Sequence, residues 1–287
     1  MIRLAVRCSP ELAEQVLAEL VELVPGGVEE ERGAGYVEYA IYGPPGELPA
    51  LPDIEVAAGD GLVEIETTEI PDDWADRWRD FHEPVWIGDR LVVRPSWEDG
   101  EADAAEIEIV IDPGQAFGTG AHATTSMSLE LLLELADELG PEASRWAVTD
   151  LGTGSGVLAI AAARFGFGPV AGCDHEHAAV EAATANAGLN SAAASFTRLN
   201  LREQDPPAAP LWLANLTTPL LEVVAGRLAD RQAAERPRTL ILSGLLATEA
   251  PRVRAAFEPL GYVVAAERSG GDWAAMRLVG AKSPSAS

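Results

Sequence analysis

Lysine is almost missing from this chain: there is one, Lys282, in 287 residues. That scarcity excludes a triphosphate-binding loop, whose glycine-rich turn must end in Gly-Lys-Ser or Gly-Lys-Thr. Cations are few altogether, with Lys+Arg 20 against Asp+Glu 46 and a net charge of −26. The deficit is lopsided, since residues 1–110 hold 27 acids and 7 bases, net −20, and the remaining 177 hold 19 and 13, net −6. A surface of that sign disfavours direct nucleic-acid binding, which needs basic side chains against phosphate. It suits either a basic partner or an acidic surface kept for solubility. Two cysteines, Cys8 and Cys173, lie far apart in separate predicted strands, which makes neither a disulfide framework nor a metal site. No uninterrupted apolar run reaches 18 residues, and the opening MIRLAVRCSPELAEQ has no signal-type hydrophobic stretch. Neither a membrane span nor a signal peptide is predicted, and a cytoplasmic location is expected.

What the chain does have is glycine in informative places. The stretch TDLGTGSG, residues 149–156, carries Gly152, Gly154 and Gly156 between a predicted strand over 146–151 and the good helix former VLAIAAA. Glycines at a strand-to-helix junction let a ligand approach the backbone. The dinucleotide fingerprint needs its third glycine one residue later, where Val157 stands. A tight turn without a ligand is the plainer alternative. Asp174 argues against it, ending the next apolar run about 20 residues on, where a ribose-binding carboxylate belongs. A carboxylate there can accept bonds from both ribose hydroxyls. The pair suggests an adenosine ligand without a pyrophosphate.

Along the chain the pattern falls into two units and a connector. Ile2–Cys8 reads as a strand, followed by an amphipathic helix to about Val24, a hairpin over Gly27–Tyr42 and a strand over Gly61–Ile70. The proline-rich stretch between the last two opposes a long second helix. PDDWADRWRDFHEP reads as a connecting helix with Trp74, Trp78 and Phe81 near one face, followed by strands near 90–94 and 106–111. From 146 onwards strands at 146–151, 170–174, 195–199, 210–216 and 238–243 are each expected to precede a helix, with a final hairpin from 262–267 and 273–279. Such alternation implies a parallel sheet covered on both faces, with ligands at the carboxyl ends of its strands.

Two further motifs fall at such ends. DPGQAFGTGAHATTS, residues 112–126, is a glycine-rich loop in which Thr124, Thr125 and Ser126 offer caps for the next helix. LWLANLTTPLL, residues 211–221, ends a strand in Asn215 before Pro219 opens a helix. Asn215 could be a helix cap, a turn residue or a group facing substrate, and taken alone the cap is the favoured reading.

Taken in order, DPGQAFGTGAHATTS, DLGTGSGVLAIAA, GCDHEHAAVEAATANAGLN, LANLTTPL and LSGLL resemble the bacterial methyltransferases of large-subunit ribosomal protein eleven, and the Trp-rich connector resembles that family's linker. The likeness runs from about Asp72 to Val279. It implies a seven-stranded class I, Rossmann-like α/β methyltransferase domain using S-adenosylmethionine, preceded by a small ferredoxin-like α+β domain that holds the protein substrate. The expected division is 1–70 for recognition, 71–111 as connector, 112–280 for methyl transfer and 281–287 as a disordered tail. By the same likeness Gly152, with Gly154, belongs to the donor loop, Asp174 is the ribose carboxylate, and Thr125 closes the preceding loop over the donor. Asn215 stands beside the methyl group as the catalytic residue, and Phe117, Gly118, Thr119 and Gly120 cover the cofactor. His122 is expected to be a hydrogen-bonding loop residue rather than a base. The expected substrate is lysine and N-terminal amines of ribosomal protein eleven, methylated by a monomer without metal, membrane or direct nucleic-acid contact. A different protein or small-molecule acceptor, or a donor-binding ribosomal module without catalysis, are the alternatives. The chain departs from the family at Ala123, where proline is usual, and at Thr217, Thr218 and Asn200.

Overall fold

The structure is a computed structural model that describes residues 2–13, 16–17, 20, 29–33, 35–43, 48, 62–69, 84–98, 105–112 and 122–280. The chain divides into two compact units, Met1–Phe81 and His82–Ser287. The expected connecting helix with Trp74, Trp78 and Phe81, the loop residues Phe117 to Gly120 and the C-terminal tail lie outside the described residues, as does the proline-rich stretch except Gly43 and Leu48.

In the first unit, β1 (Ile2–Cys8), β2 (Glu29–Gly33), β3 (Tyr36–Gly43) and β4 (Leu62–Glu69) form an antiparallel sheet in the order β2-β3-β1-β4. That is the ferredoxin-like strand order. Alternation sends Leu4, Val6 and Cys8 of β1 to the same side as Val37, Tyr39 and Ile41 of β3. Helical Ala13, Val16 and Leu20, spaced three and four apart, bury their apolar stripe there. Each fully buried aliphatic side chain contributes about 1.5–3 kcal/mol. Away from that core Arg3, Arg7 and Glu38 form an ionic cluster, and Arg7 also reaches Glu64 at 2.6 Å and Glu66 at 3.1 Å. Burial works to raise the pKa of the Glu38 carboxyl, but hydrogen bonds from Arg3 and Arg7 outweigh it and hold the group below the usual carboxylate range.

The second unit opens with a small sheet, β5 (Val85–Ile87), β6 (Leu91–Arg94) and β7 (Ile107–Val110), in which β6 and β7 run parallel. β5, three residues long, is too short for a periodic pattern and was not foreseen. After it come α1 (Ala123–Leu139), β8 (Val148–Leu151), α2 (Val157–Arg164), β9 (Val170–Asp174), α3 (His177–Leu189), β10 (Ala194–Arg198) and β11 (Leu211–Asn215). The unit closes with α4 (Thr218–Ala229), β12 (Thr239–Leu246), α5 (Ala250–Phe257), β13 (Tyr262–Gly270) and β14 (Trp273–Gly280). One correction concerns the segment after β10, where no helix forms: Pro206, Pro207 and Pro210 remove donors and fix backbone angles between β10 and β11.

The main sheet has the order β10-β9-β8-β11-β12-β14-β13, with β14 antiparallel to both its neighbours. This is the class I methyltransferase arrangement. Strands β11 and β12 are largely apolar runs, and β8 is buried along its whole length although it carries Thr149 and Asp150, because helices cover both faces. On one face Val148, Leu211, Leu213 and Ile241 pack with α1, α2 and the small sheet, and on the other Trp212, Ala214, Leu240 and Leu242 pack with α4 and α5. Strand order reverses between β8 and β11. The crevice at their carboxyl ends is therefore where a ligand binds in such a sheet.

Candidate active site

Two segments meet at that crevice, the turn after β8 and the end of β11. The turn runs through Gly152, Gly154 and Gly156 with φ of 66°, 52° and 84°, a left-handed region that side-chain-bearing residues adopt only with strain. The backbone N–H groups of Gly152 and Thr153 both donate to Cys173 O of β9, at 2.8 and 3.0 Å. Gly154 N–H donates to Asp174 Oδ2 at 3.0 Å, and Glu176 N–H to Asp174 Oδ1 at 3.1 Å. So Asp174, at the carboxyl end of β9, stands directly against the turn. An ionised carboxylate offers about four lone-pair sites, and besides the two backbone donors His175 Nδ1 lies 3.2 Å from Oδ1.

Asp150 lies in β8, two residues before Gly152, within the strand expected over 146–151, and the sequence alone assigns it no role of its own. Only 1% of it is exposed, and Thr153 Oγ1 donates to its Oδ2 at 2.6 Å. Burial, helped by the neighbouring Asp174 charge and opposed by the Thr153 bond, pushes its pKa up from 3.8 to about 7. The unfolded chain gives up this proton near the ordinary carboxylate value, whereas the folded chain holds it until about 7. Stability from this group is therefore complete below the lower value and falls as pH rises through the interval to the upper one. Asp150→Asn, which keeps an acceptor for Thr153, is expected to flatten that decline. Urea midpoints at pH 4.5 and 7.5 for both proteins check it, and an unchanged slope would count against the assignment.

Asn215 ends β11, and its Nδ2 donates to Thr125 Oγ1 in the first turn of α1 at 3.2 Å. Its Oδ1 is buried and has no hydrogen-bond partner among the described residues. Leaving such an acceptor unpaired costs about 1–3 kcal/mol. Asn215 does not cap α4, whose N-cap is Thr217. The strand end is held by Leu216 N–H donating to Ser243 O at 3.0 Å. A Cβ on Gly244, at φ 80°, would meet Leu216 O at 2.6 Å, so LSGLL needs its glycine to let this backbone pass.

The α1 cap differs from expectation. His122, not Thr124, Thr125 or Ser126, is the N-cap, because the helix begins at Ala123. Its Nδ1 lies 2.7 Å from Thr124 Oγ1 and 3.4 Å from Thr124 N, while the ring sits edge-on to Trp273 at 4.8 Å. Burial lowers its pKa, favouring the neutral ring. Asn200 closes its own turn, accepting from Arg202 N–H at 3.0 Å. Among the described residues no group of acids, histidines and cysteines has the arrangement of a metal site, and no helix is long and apolar enough to cross a membrane.

The turn, the carboxylate beside it and the unpaired acceptor opposite fit an adenosine-bearing donor next to a nucleophile that carries an N–H. The model of the ribosomal protein L11 methyltransferase (PrmA) family matches residues 53–281. Ribosomal protein L11 methyltransferases of Pelotomaculum thermopropionicum and Marinobacter nauticus are each 34% identical, the first over 96% of this chain and 97% of its own length, the second over 97% of both. The crystal structure of the ribosomal protein L11 methylase from Lactobacillus delbrueckii subsp. bulgaricus superposes with a TM-score of 0.59 at 28% identity, covering 69% of this chain and 98% of that one. With family, fold and crevice in agreement, the chain belongs to the ribosomal protein L11 methyltransferases, enzymes that use S-adenosylmethionine.

Proposed function

We propose that this enzyme methylates amino groups of ribosomal protein L11, at lysine side chains and the N-terminus, as a cytoplasmic monomer that makes no direct contact with nucleic acid. Gly152, Gly154, Asp174 and Thr125 seat the donor, together with Phe117, Gly118, Thr119 and Gly120, and Asn215 holds the acceptor amine. Residues 1–70 select the protein substrate, 71–111 connect, and 112–280 perform the transfer. The observation that carries this reading is the buried, unpaired Oδ1 of Asn215 at the switch point of the sheet.

S-adenosylmethionine, when bound, supplies a methyl group already activated by its sulfonium, so the protein mainly provides placement and electrostatics. Asn215 Oδ1 accepts an N–H of the amine, which aims the nitrogen lone pair and stabilises the positive charge that grows there. A lysine amine with a pKa near ~10.4 must first lose a proton, and desolvation in the crevice favours the neutral form. His122 is not cast as the base, since its Nδ1 is engaged with Thr124.

Labelled donor incubated with the enzyme and a ribosomal protein pool tests the acceptor. Label on L11 is expected. Label only elsewhere would make the acceptor wrong, and donor binding without label would leave a docking module. Separately, Asp174→Ala is expected to weaken donor binding by about 1–3 kcal/mol, the scale of hydrogen bonds to a charged acceptor. Unchanged affinity by calorimetry would remove Asp174 from the site.

A further inference from the structure

Asn186, in α3, and Asn190, at its C-cap, are both buried, although neither belongs to the site described above. Both aim their amides at the edge of β7 that β6 does not use. β6 takes one set of N–H groups, Ile107 to Arg90 O and Ile111 to Arg94 O. The alternate set points away: Val110 N–H donates to Asn190 Oδ1 at 2.8 Å and Asp112 N–H to Asn186 Oδ1 at 3.1 Å. Two residues along a strand advance roughly 6.7 Å and four along a helix roughly 6 Å, so amides at i and i+4 imitate a neighbouring strand.

The two asparagines then diverge. Asn190 Nδ2 returns to Val110 O at 2.6 Å and to Asn186 O at 2.8 Å, so it serves only strand and helix. Asn186 Nδ2 reaches across to Ser155 O at 2.9 Å, inside the glycine turn. The neighbouring Gly156 is pressed on the same helix, since a Cβ there would lie 2.9 Å from Ala183 Cβ. Three left-handed glycines bring no side chains of their own to fix the turn. α3 does that from outside.

We propose that Asn186 is a positioning residue for donor binding. By accepting from Asp112 and donating to Ser155 it fixes the Ser155–Gly156 peptide plane, and with it the direction of the turn, whereas Asn190 secures only β7. The inference rests on the reading of this turn as the donor's seat.

The test uses the full chain and two variants. Asn186→Asp is nearly isosteric, keeps the acceptor towards Asp112 and sets a carboxylate oxygen against Ser155 O. Asn190→Ala disturbs the same strand edge without touching the turn. Denaturation midpoints, Kd for S-adenosylmethionine and separate KM values for donor and protein substrate are measured for each. Asn186→Asp is expected to raise Kd and KM for the donor on the order of 10- to 100-fold, the scale of a small misplacement, with KM for the protein unchanged. Affinity should recover as pH falls and the new carboxyl gains a proton to donate to Ser155 O. Asn190→Ala should stay close to wild type in donor affinity even where it loses stability. If Asn186→Asp does not fold, Asn186→Ala is measured in its place with the same expected direction. A wild-type chain that binds no S-adenosylmethionine sinks the donor reading and this inference together. Wild-type binding with unchanged affinity in the Asn186 variants, or donor losses that track stability equally at both positions, overturns this inference alone.

Discussion

Asn215→Ala is expected to lower turnover about 100-fold or more while donor affinity changes little. The expectation follows from what the amide does at each end. Nδ2 is tied to Thr125 Oγ1, which fixes the plane of the group, and Oδ1 is buried at the end of β11 with no hydrogen-bond partner among the described residues. Under the proposed function, an acceptor amine is the partner that completes it. Alanine removes the group that aims the lone pair and stabilises the growing ammonium, an effect felt in the transition state more than in donor binding. Stability should move little, because the lost Thr125 bond is offset by relief of a buried, unpaired acceptor. Rates under saturating donor, normalised to folded protein, combined with calorimetry for the donor, give the answer. Near-wild-type turnover would mean that Asn215 merely shapes the end of β11.

How this site was legible is a matter of chain distance. The glycine turn, and the placement of Asp174 at the end of the next strand, could be read from the sequence because φ above zero demands glycine and because the next apolar run ends at that acid. The apolar runs of β11 and β12 are explicit for a similar reason, since burial on both faces leaves few polar positions along them. Asn215 was ambiguous until its partner was known, and that partner, Thr125, lies 90 positions away on another element. The same limit hid the role of Asn186 and Asn190, whose i, i+4 spacing on a helix looks like an ordinary polar face. Only the fold reveals that β7 runs along it. Asp150 lies in a run that reads as a strand, but nothing in the sequence shows that Thr153 bonds it there. After β10 the alternation of strands and helices points to a helix, but Pro206, Pro207 and Pro210 outweigh it by removing donors and fixing φ.

Removing residues 1–81 is expected to abolish methylation of ribosomal protein L11 while leaving donor binding intact. Donor binding should survive because the two apolar clusters around the main sheet draw every member from the second unit, as do Asp174, Thr125 and Asn215. Loss of methylation follows from the charge of the removed unit, which holds 19 acids against 5 bases. Its edge strand β4 keeps Glu64 and Glu66 half exposed, at 56% and 50%, even while both bond Arg7. A basic protein is steered towards such a field, and that steering weakens as the Debye length shrinks from ~10 Å at 0.1 M salt to ~3 Å at 1 M. With the full chain, rising salt should therefore slow association of the protein substrate and raise its KM, while Kd for S-adenosylmethionine stays nearly constant. A buried, hydrogen-bonded donor site has no comparable exposure to screening. The two measurements separate recognition from chemistry, since a deletion that merely unfolds the second unit would lose donor binding too. If residues 82–287 methylate L11 as efficiently as the whole chain, recognition does not reside in the first unit. Its acidity would then serve solubility.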